Sequence, residues 1–185
     1  ETKLIGEWMM ADAEKAWGLR WAGLRYFNVA GAGWDDLGDM ATLNLIPMVL
    51  DRLVKGETPK IFGTDYPTPD GTCVRDYIHV KDLASAHIAA LDYLAGGQDM
   101  AEHIFNVGTG QGASVREVVS KVIASTGLDL EPEELARRAG DPPQLIGNAT
   151  RIGEVLGWKA EHDLDDIVTS SYTSWQADPN RPHFG

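Results

Sequence analysis

Asp70-Gly71-Thr72-Cys73-Val74-Arg75-Asp76-Tyr77-Ile78-His79-Val80 is the stretch that decides the fold. It begins on a turn-forming Asp-Gly pair and continues in β-favouring residues that predict a strand over residues 74–78. Arg75 and Asp76 are neighbours on that strand, so their side chains point to opposite faces. One of these two side chains can contact a ligand while the other stabilises the local structure. The planar fork of Arg75 suits a phosphate, and a structural ion pair is the alternative.

Helical and extended patterns alternate on either side of this strand. Apolar residues at helical spacing predict helices over residues 3–17, 43–55, 80–95, 114–126, 150–156 and 164–175. Runs rich in β-branched and aromatic residues predict strands over residues 21–27, 60–62, 74–78 and 103–107. The alternation favours a layered α/β fold. We expect loops over residues 28–42 and 131–147, and a turn-rich hairpin over residues 63–73.

Composition narrows the classes of function. The chain has 185 residues, of which 43 % are hydrophobic, and this is enough for a packed core. A formal net charge of −12 opposes phosphate backbones and anionic lipids, so we expect no nucleic-acid and no membrane partner. Cys73 is the only cysteine, which excludes an internal disulfide, and we expect it to be a small buried residue. No leader or membrane-spanning run is visible, and we expect a cytoplasmic protein.

The run Gly108-Thr109-Gly110-Gln111-Gly112 follows a predicted strand and precedes a predicted helix. That context is typical of a dinucleotide-binding loop. The match is weak, because the third glycine position is Ala113, a permitted variant, and no acidic residue follows a second strand at the required distance. We favour a tight strand-to-helix turn over direct contact with a phosphate.

Two further groups of polar residues are candidates for a site. His79 and His87 are eight residues apart, but no third ligand accompanies them, and a structural role is favoured over metal binding. Arg137 and Arg138 lie with Asp141 in a loop that contains Gly and Pro. Two adjacent guanidinium groups can reverse the local negative potential for an anionic ligand, or they can form a solvated surface pair.

Longer runs identify a family. In chain order they are Lys3-Leu4-x-x-Glu7, Leu24-Arg25-Tyr26-Phe27-Asn28-Val29-Ala30-Gly31, Asn44-Leu45-Ile46-Pro47, Ile61-Phe62-Gly63-Thr64-Asp65-Tyr66-Pro67-Thr68, the 70–80 stretch and Phe105-Asn106-Val107-Gly108. Over essentially all of its length the chain resembles the UDP-glucose 4-epimerases (UDP-galactose 4-epimerases) of the extended short-chain dehydrogenase/reductase family. The runs over residues 62–68 and 71–80 are specific to the epimerases, whereas related dehydratases and decarboxylases keep a looser Arg-Asp-x-x-x-Val.

The resemblance implies part of a larger enzyme. Family members are nearly twice as long, and their first half carries the Gly-rich NAD loop, the catalytic Ser/Thr and the Tyr of a Tyr-x-x-x-Lys pair. Lys3 matches that lysine, so the Tyr would precede residue 1. The implied fold is the end of an NAD-binding Rossmann domain over residues 1–32 and a smaller mixed α/β UDP-sugar-binding domain over most of residues 33–185. Segments near residues 74–108 return to the Rossmann sheet, and the chain alone is expected to be inactive.

The family's reaction is a reversible hydride transfer between C4 of the sugar and NAD, which interconverts UDP-glucose and UDP-galactose. The resemblance implies that the charge of Lys3 favours the ionised catalytic Tyr and that Lys3 hydrogen-bonds the nicotinamide ribose. The implied cofactor-binding residues are Lys3, Tyr26 and Phe27. The implied UDP-sugar-binding residues are Asn28, Asn44, Leu45, Lys60, Ile61, Phe62, Arg75, Tyr77, Arg138, Asp141 and Leu145.

The chain departs from the family pattern at two places. The loop after Gly31 lacks part of the usual segment and carries Trp34-Asp35-Asp36. Leu145 stands where some members have a large Tyr beside the sugar, and we hypothesise that it leaves room for a 2-N-acetyl group. The alternatives are another nucleotide-sugar epimerase or dehydratase of the same family, or a non-catalytic UDP-sugar-binding domain. Family members are usually homodimers, so residues 4–17 belong either to an interface or to the core.

Overall fold

Helices and short strands alternate along the chain, as the sequence predicted. The structure, a computed structural model, describes residues 1–39, 41–97 and 102–184. The helices are α1 (Thr2–Trp17), α2 (Leu45–Val54), α3 (Val80–Ala95), α4 (Val115–Ser125), α5 (Thr150–Leu156) and α6 (Leu164–Ala177). The strands are β1 (Gly23–Tyr26), β2 (Asn28–Ala30), β3 (Lys60–Phe62), β4 (Val74–His79), β5 (Ile104–Val107), β6 (Gly112–Ser114), β7 (Glu133–Leu135) and β8 (Gln144–Leu145). Within the described ranges, every helix is too short or too polar to cross a membrane.

Strand β4 pairs with three other strands. It pairs in parallel with β2, with Tyr77 opposite Asn28, and in antiparallel fashion with β6. It also pairs in parallel with β8, which places Leu145 opposite Arg75. Two further parallel pairs, β1 with β5 and β3 with β7, bring together segments about 70 to 80 residues apart in the chain. Parallel pairing of this kind is typical of α/β folds, so the predicted fold class is confirmed.

Two apolar cores lie on opposite sides of β4. The side chain of Tyr77 packs into a core built on α2, α4 and α6. The next side chain, Ile78, packs into a second core built on α3, β5 and α5, because successive strand residues face opposite sides. The first core includes Ile46, Val49, Leu50, Leu53, Ile61, Val118, Val119, Val122, Ile167 and Trp175, and the second includes Ala86, Phe105, Val107, Ile152 and Trp158.

The predicted helices are confirmed to within about two residues at each end, and β3 is as predicted, whereas β2, β6, β7 and β8 were missed. The predicted loops over residues 28–42 and 131–147 contain β2, β7 and β8. The predicted hairpin is wrong, because β3 pairs with β7 and not with β4. The intervening turn closes on itself through a hydrogen bond from Tyr66 N to Gly71 O of 2.9 Å. Ser114 caps α4 by accepting from Glu117 N at 3.0 Å.

The apolar stripe of α1 faces outward. Ala13 is buried, but Trp8, Met9 and Trp17 are 60 %, 64 % and 75 % exposed. Residues 4–17 were expected to belong either to an interface or to the core. In the part of the chain that the structure describes, the apolar stripe of this segment does not lie in the core. Several large apolar side chains exposed on one helix face are typical of a surface that another molecule or segment covers.

His79 has the structural role that the sequence favoured. It is 2 % exposed, its Nδ1 accepts from Lys81 N at 3.1 Å, and its Nε2 lies 3.0 Å from Ser170 Oγ. Its ring stacks on His162, whose Nδ1 lies 2.8 Å from Asp82 Oδ1. Among the described residues, His, Cys, Asp and Glu form no cluster that could hold a metal ion. Burial, followed by repulsion from His162, lowers the pKa of His79.

The lowered pKa of His79 makes stability depend on pH. Below the ordinary value of 6.5 the unfolded chain binds a proton that folded His79 does not, so we expect the free energy of unfolding to fall as pH decreases through this range. The slope from one such group is at most about 1.4 kcal/mol per pH unit. Urea denaturation of the complete gene product that contains these residues, followed between neutral and mildly acid pH, measures it.

Matched histidine variants identify the source of that slope. His79→Gln is expected to flatten it, whereas His87→Gln, at an exposed position of α3, is expected to preserve it. An unchanged slope in His79→Gln would show that another group causes the pH dependence.

Candidate functional site

A cavity of about 250 Å³ lies between β4 and α2 and collects most of the predicted UDP-sugar-binding residues. Its walls come from the first turns of α2, from β3 and β4, and from the loop before β8. The predicted residues that line it are Asn28, Leu45, Lys60, Phe62, Arg75, Tyr77, Arg138 and Asp141. The chain therefore folds so that residues from five separate segments meet at one place.

Arg75 is held at the wall of this cavity by backbone carbonyls. Its side chain is 14 % exposed, and Nη1 donates to Pro142 O at 2.8 Å and to Val74 O at 2.9 Å. Its Nη2 lies 3.7 Å from Asp141 Oδ1, which is an ion pair too long for a good hydrogen bond. Arg75 therefore forms the ion pair that was one sequence interpretation, and it also lines the cavity; its contact with a phosphate stays a prediction.

A cation stacked on an aromatic ring forms another part of the wall. The guanidinium carbon of Arg138 lies 3.8 Å from the ring centroid of Phe62, which is a close cation–π contact. Lys60 Nζ, on the same strand as Phe62, lies 3.6 Å from Glu133 Oε2. The cavity thus offers several positive charges and one flat apolar face, a combination that suits an anionic ligand with a planar ring.

Tyr77 is a neutral phenol at the inner end of the cavity. Burial raises its pKa to about 12, although the charge of Arg75 and a hydrogen bond with Asn28 act in the opposite direction. The hydroxyl therefore keeps its proton at neutral pH and can donate to a ligand oxygen.

A larger cavity of about 410 Å³ adjoins the first one. Asn28, Leu43, Leu45 and Tyr77 line both, so the two cavities are neighbours, and together they are called the cleft. The predicted cofactor residues Tyr26 and Phe27 line the larger part, together with Asn44. The amide of Asn44 donates to Asp39 Oδ2 at 2.7 Å, which fixes the loop that leads into α2.

Three predicted site residues lie outside both cavities. Lys3 is exposed on the first turn of α1. The side chain of Ile61 is fully buried in the core, and Leu145 is 49 % exposed on β8. A charged pair ties α1 to β1, since Arg25 Nε donates to Glu7 Oε1 at 2.7 Å. That pair fixes the helix that carries Lys3 relative to the strand that ends at Tyr26.

The glycine run after β5 is a tight turn. The N–H groups of Thr109 and Gly110 donate to the carboxylate of Asp76 at 2.9 and 3.1 Å. A Cβ on Gly108 would lie 2.5 Å from Asp76 Oδ2, so glycine is required there by close approach. The donors that would bind a phosphate are already paired with Asp76. The run is therefore a tight turn, as favoured, but it leads from β5 into β6, which starts at Gly112, and not directly into a helix.

Sequence reasoning missed several lining residues. Met48, Val49 and Arg52 line the smaller cavity from α2, and Leu43, Cys73 and Val115 also line it. The spacing of Leu45, Met48, Val49 and Arg52 is the i, i+3, i+4, i+7 pattern of one helix face, so helical periodicity contained the signal. Cys73 is buried, as predicted.

Comparison with known proteins gives the family. The sequence profile of the NAD dependent epimerase/dehydratase family matches residues 1–108, and the chain belongs to this family. More particularly, the chain is 48 % identical over 179 residues to the UDP-glucose 4-epimerase of Azospirillum brasilense. The match covers 95 % of this chain and 51 % of that protein. The chain thus spans about half the length of the curated relatives it matches.

Solved structures show the same fold. The UDP-glucose 4-epimerase of Brucella ovis in complex with NAD matches with a TM-score of 0.84 and 42 % identity, over 92 % of this chain and 53 % of that chain. The UDP-glucose 4-epimerase of Bifidobacterium longum in complex with NAD⁺ and UDP matches with a TM-score of 0.81 and 37 % identity, over 96 % and 54 %.

Proposed function

We propose that the complete gene product containing this chain is a UDP-glucose 4-epimerase. It interconverts UDP-glucose and UDP-galactose by hydride transfer between C4 of the sugar and NAD. Residues 1–185 supply the UDP-sugar site and Lys3. The observation that carries the proposal is the cleft itself, in which Arg75, Arg138 and the Phe62 ring converge beside Tyr77.

The smaller cavity takes the UDP portion. Arg75 and Arg138 neutralise the diphosphate, and a planar guanidinium can bind two of its oxygens at once. The ring of Phe62 offers an apolar face to the uracil, with Arg138 already packed against it at 3.8 Å. In a chain of net charge −12, these few cations are what makes the cleft attractive to a dianionic diphosphate.

The larger cavity fits the sugar and the nicotinamide end of NAD. Tyr26 and Phe27 both line it. The neighbouring phenol of Tyr77 and amide of Asn28 provide hydrogen-bond partners for sugar hydroxyls or phosphate oxygens. When bound, NAD supplies the hydride acceptor. Lys3 lies on the helix that the Glu7–Arg25 pair joins to the strand ending at Tyr26, which supports a role for its positive charge at that end.

The proposal includes the domain division and the assembly. Residues 1–32, with segments near 74–108, belong to the cofactor domain, and most of residues 33–185 form the UDP-sugar domain. The parallel pairing of β1 with β5 and of β2 with β4 supports this division. The outward apolar face of α1 supports an interface in the complete enzyme, for which a homodimer stays a prediction.

An activity assay tests the proposed function. The complete gene product, incubated with UDP-galactose and NAD, is expected to form UDP-glucose, which chromatography of the products detects. A different nucleotide sugar among the products would favour another member of the family. Binding of UDP in calorimetry without any turnover would favour a non-catalytic binding domain.

Arg75→Met is expected to weaken UDP binding by about tenfold to a hundredfold, because a hydrogen bond to a charged group contributes about 1.5–3 kcal/mol. Isothermal titration calorimetry of the complete gene product with UDP measures the change. Arg116→Met is the matched control, since Arg116 pairs with Glu134 outside the cleft, and it is expected to bind UDP as the parent does. Equal affinities for both variants would remove Arg75 from the diphosphate site.

Leu145 is proposed to admit N-acetylhexosamine substrates. It lies opposite Arg75 on β8, two residues before Gly147, whose backbone packs against the Phe27 ring. Leu145 lies outside both cavities and is 49 % exposed, so the proposal rests on its register beside Arg75 and on the resemblance to the family. Leu145→Tyr is expected to lower kcat/KM for UDP-GlcNAc by at least about tenfold, since steric exclusion of this size costs 1–3 kcal/mol, and to leave UDP-galactose within about threefold.

Steady-state kinetics of the complete enzyme on both substrates measures this selectivity. Good turnover of UDP-galactose with none of UDP-GlcNAc by the parent enzyme would reject the hypothesis on Leu145.

A further inference from the structure

Asp76 is a buried carboxylate that joins three segments of the chain. It is 1 % exposed on β4. One oxygen accepts from Thr109 N at 2.9 Å and from Thr109 Oγ1 at 2.8 Å. The other accepts from Gly110 N and from Gly147 N, each at 3.1 Å. A carboxylate with four donors in place fixes the turn after β5 and the segment after β8 relative to β4.

Both segments held by Asp76 support the ring of Phe27. A Cβ on Gly108 would lie 3.1 Å from Phe27 Cδ2, and a Cβ on Gly147 would collide with the same ring. The two glycines therefore form a close-fitting backbone surface behind Phe27. Gly147 donates directly to Asp76, and Gly108 precedes the two residues that do so. Asp76 thus holds two of the backbone segments that approach the Phe27 ring.

The same strand fixes the other end of the cleft. Arg75 precedes Asp76 and points to the opposite face, where it lines the smaller cavity. None of the four hydrogen bonds of Asp76 involves a residue of that cavity. Loss of these bonds should therefore disturb the Phe27 end of the cleft and leave the Arg75 end in place.

We propose that Asp76 is a positioning residue for hydride transfer. It holds Phe27 and the segment through Gly147 at the reacting end of the cleft, at a fixed distance from the UDP portion that Arg75 binds across the strand. This inference rests on the proposed function. It predicts that the chemical step is lost without loss of UDP affinity, because a small displacement of reacting groups costs far more rate than binding.

The test compares two buried aspartates in the complete gene product. Asp76→Asn keeps the shape of the side chain but turns an NH₂ group toward backbone N–H donors, so one pair of hydrogen bonds is lost. Asp82→Asn is the matched control. Asp82 is 2 % exposed and accepts from His162 N at 3.0 Å, and it lines neither cavity of the cleft. Thermal unfolding is measured first for both variants. UDP affinity and steady-state kinetics on UDP-galactose are then measured at a temperature below the lowest unfolding midpoint.

Asp76→Asn is expected to lower kcat at least about tenfold with the dissociation constant for UDP within about twofold of the parent. Asp82→Asn, even at a comparable loss of thermal stability, is expected to keep kcat within about twofold. Equal kcat values in the two variants would overturn the inference, and so would a parallel loss of UDP affinity in Asp76→Asn. A parent that binds UDP but turns over no UDP-galactose would instead contradict the proposed function.

A second variant tests the same contact if Asp76→Asn does not fold. Gly147→Ala leaves the four donors of Asp76 in place and pushes a methyl group against the Phe27 ring. It is expected to lower kcat with UDP affinity unchanged, as Asp76→Asn is. An unchanged kcat in Gly147→Ala would show that the position of Phe27 does not limit hydride transfer.

Discussion

The carboxylate of Asp76 accepts four hydrogen bonds at a position that is 1 % exposed, and the cleft depends on this interaction. It fixes the turn at residues 108–110 and the segment after β8 against one face of β4. On the other face of the same strand, Arg75 and Tyr77 line the cleft. The two-residue period of the strand therefore separates a ligand-facing surface from a surface that holds the chain together.

Electrostatics explains why so few residues define the site. The chain carries a net charge of −12, and the cleft places Arg75, Arg138 and Lys60 close to one another. Acidic partners lie beside two of these cations, with Asp141 3.7 Å from Arg75 and Glu133 3.6 Å from Lys60. These pairs hold the cations in place before a ligand arrives, and their length leaves the charges able to attract an anion. Tyr77 adds a neutral hydrogen-bond donor, and burial raises its pKa to about 12.

Local sequence patterns predicted the helices but not the shortest strands. The helices were located to within about two residues, because several apolar side chains at helical spacing indicate each helix. Strands β7 and β8 are too short to show a periodic pattern. Their pairing partners are β3 and β4, which lie about 70 residues earlier in the chain. The same limit explains the wrong hairpin. Turn residues over 63–73 are compatible with a hairpin, but pairing of β3 is decided by the distant β7.

The sequence by itself determined the α/β class and the family and named eleven of the residues that line the cleft, since each of these depends on residue types and their order. Arg75 and Asp76 were assigned to opposite faces from strand geometry alone. The tertiary structure decided which predicted residues share the cleft, and it left Lys3, Ile61 and Leu145 outside. It also showed that the amides of the glycine turn are occupied. Their acceptor is Asp76, more than thirty residues earlier in the chain, and no local pattern connects a donor to an acceptor at that separation.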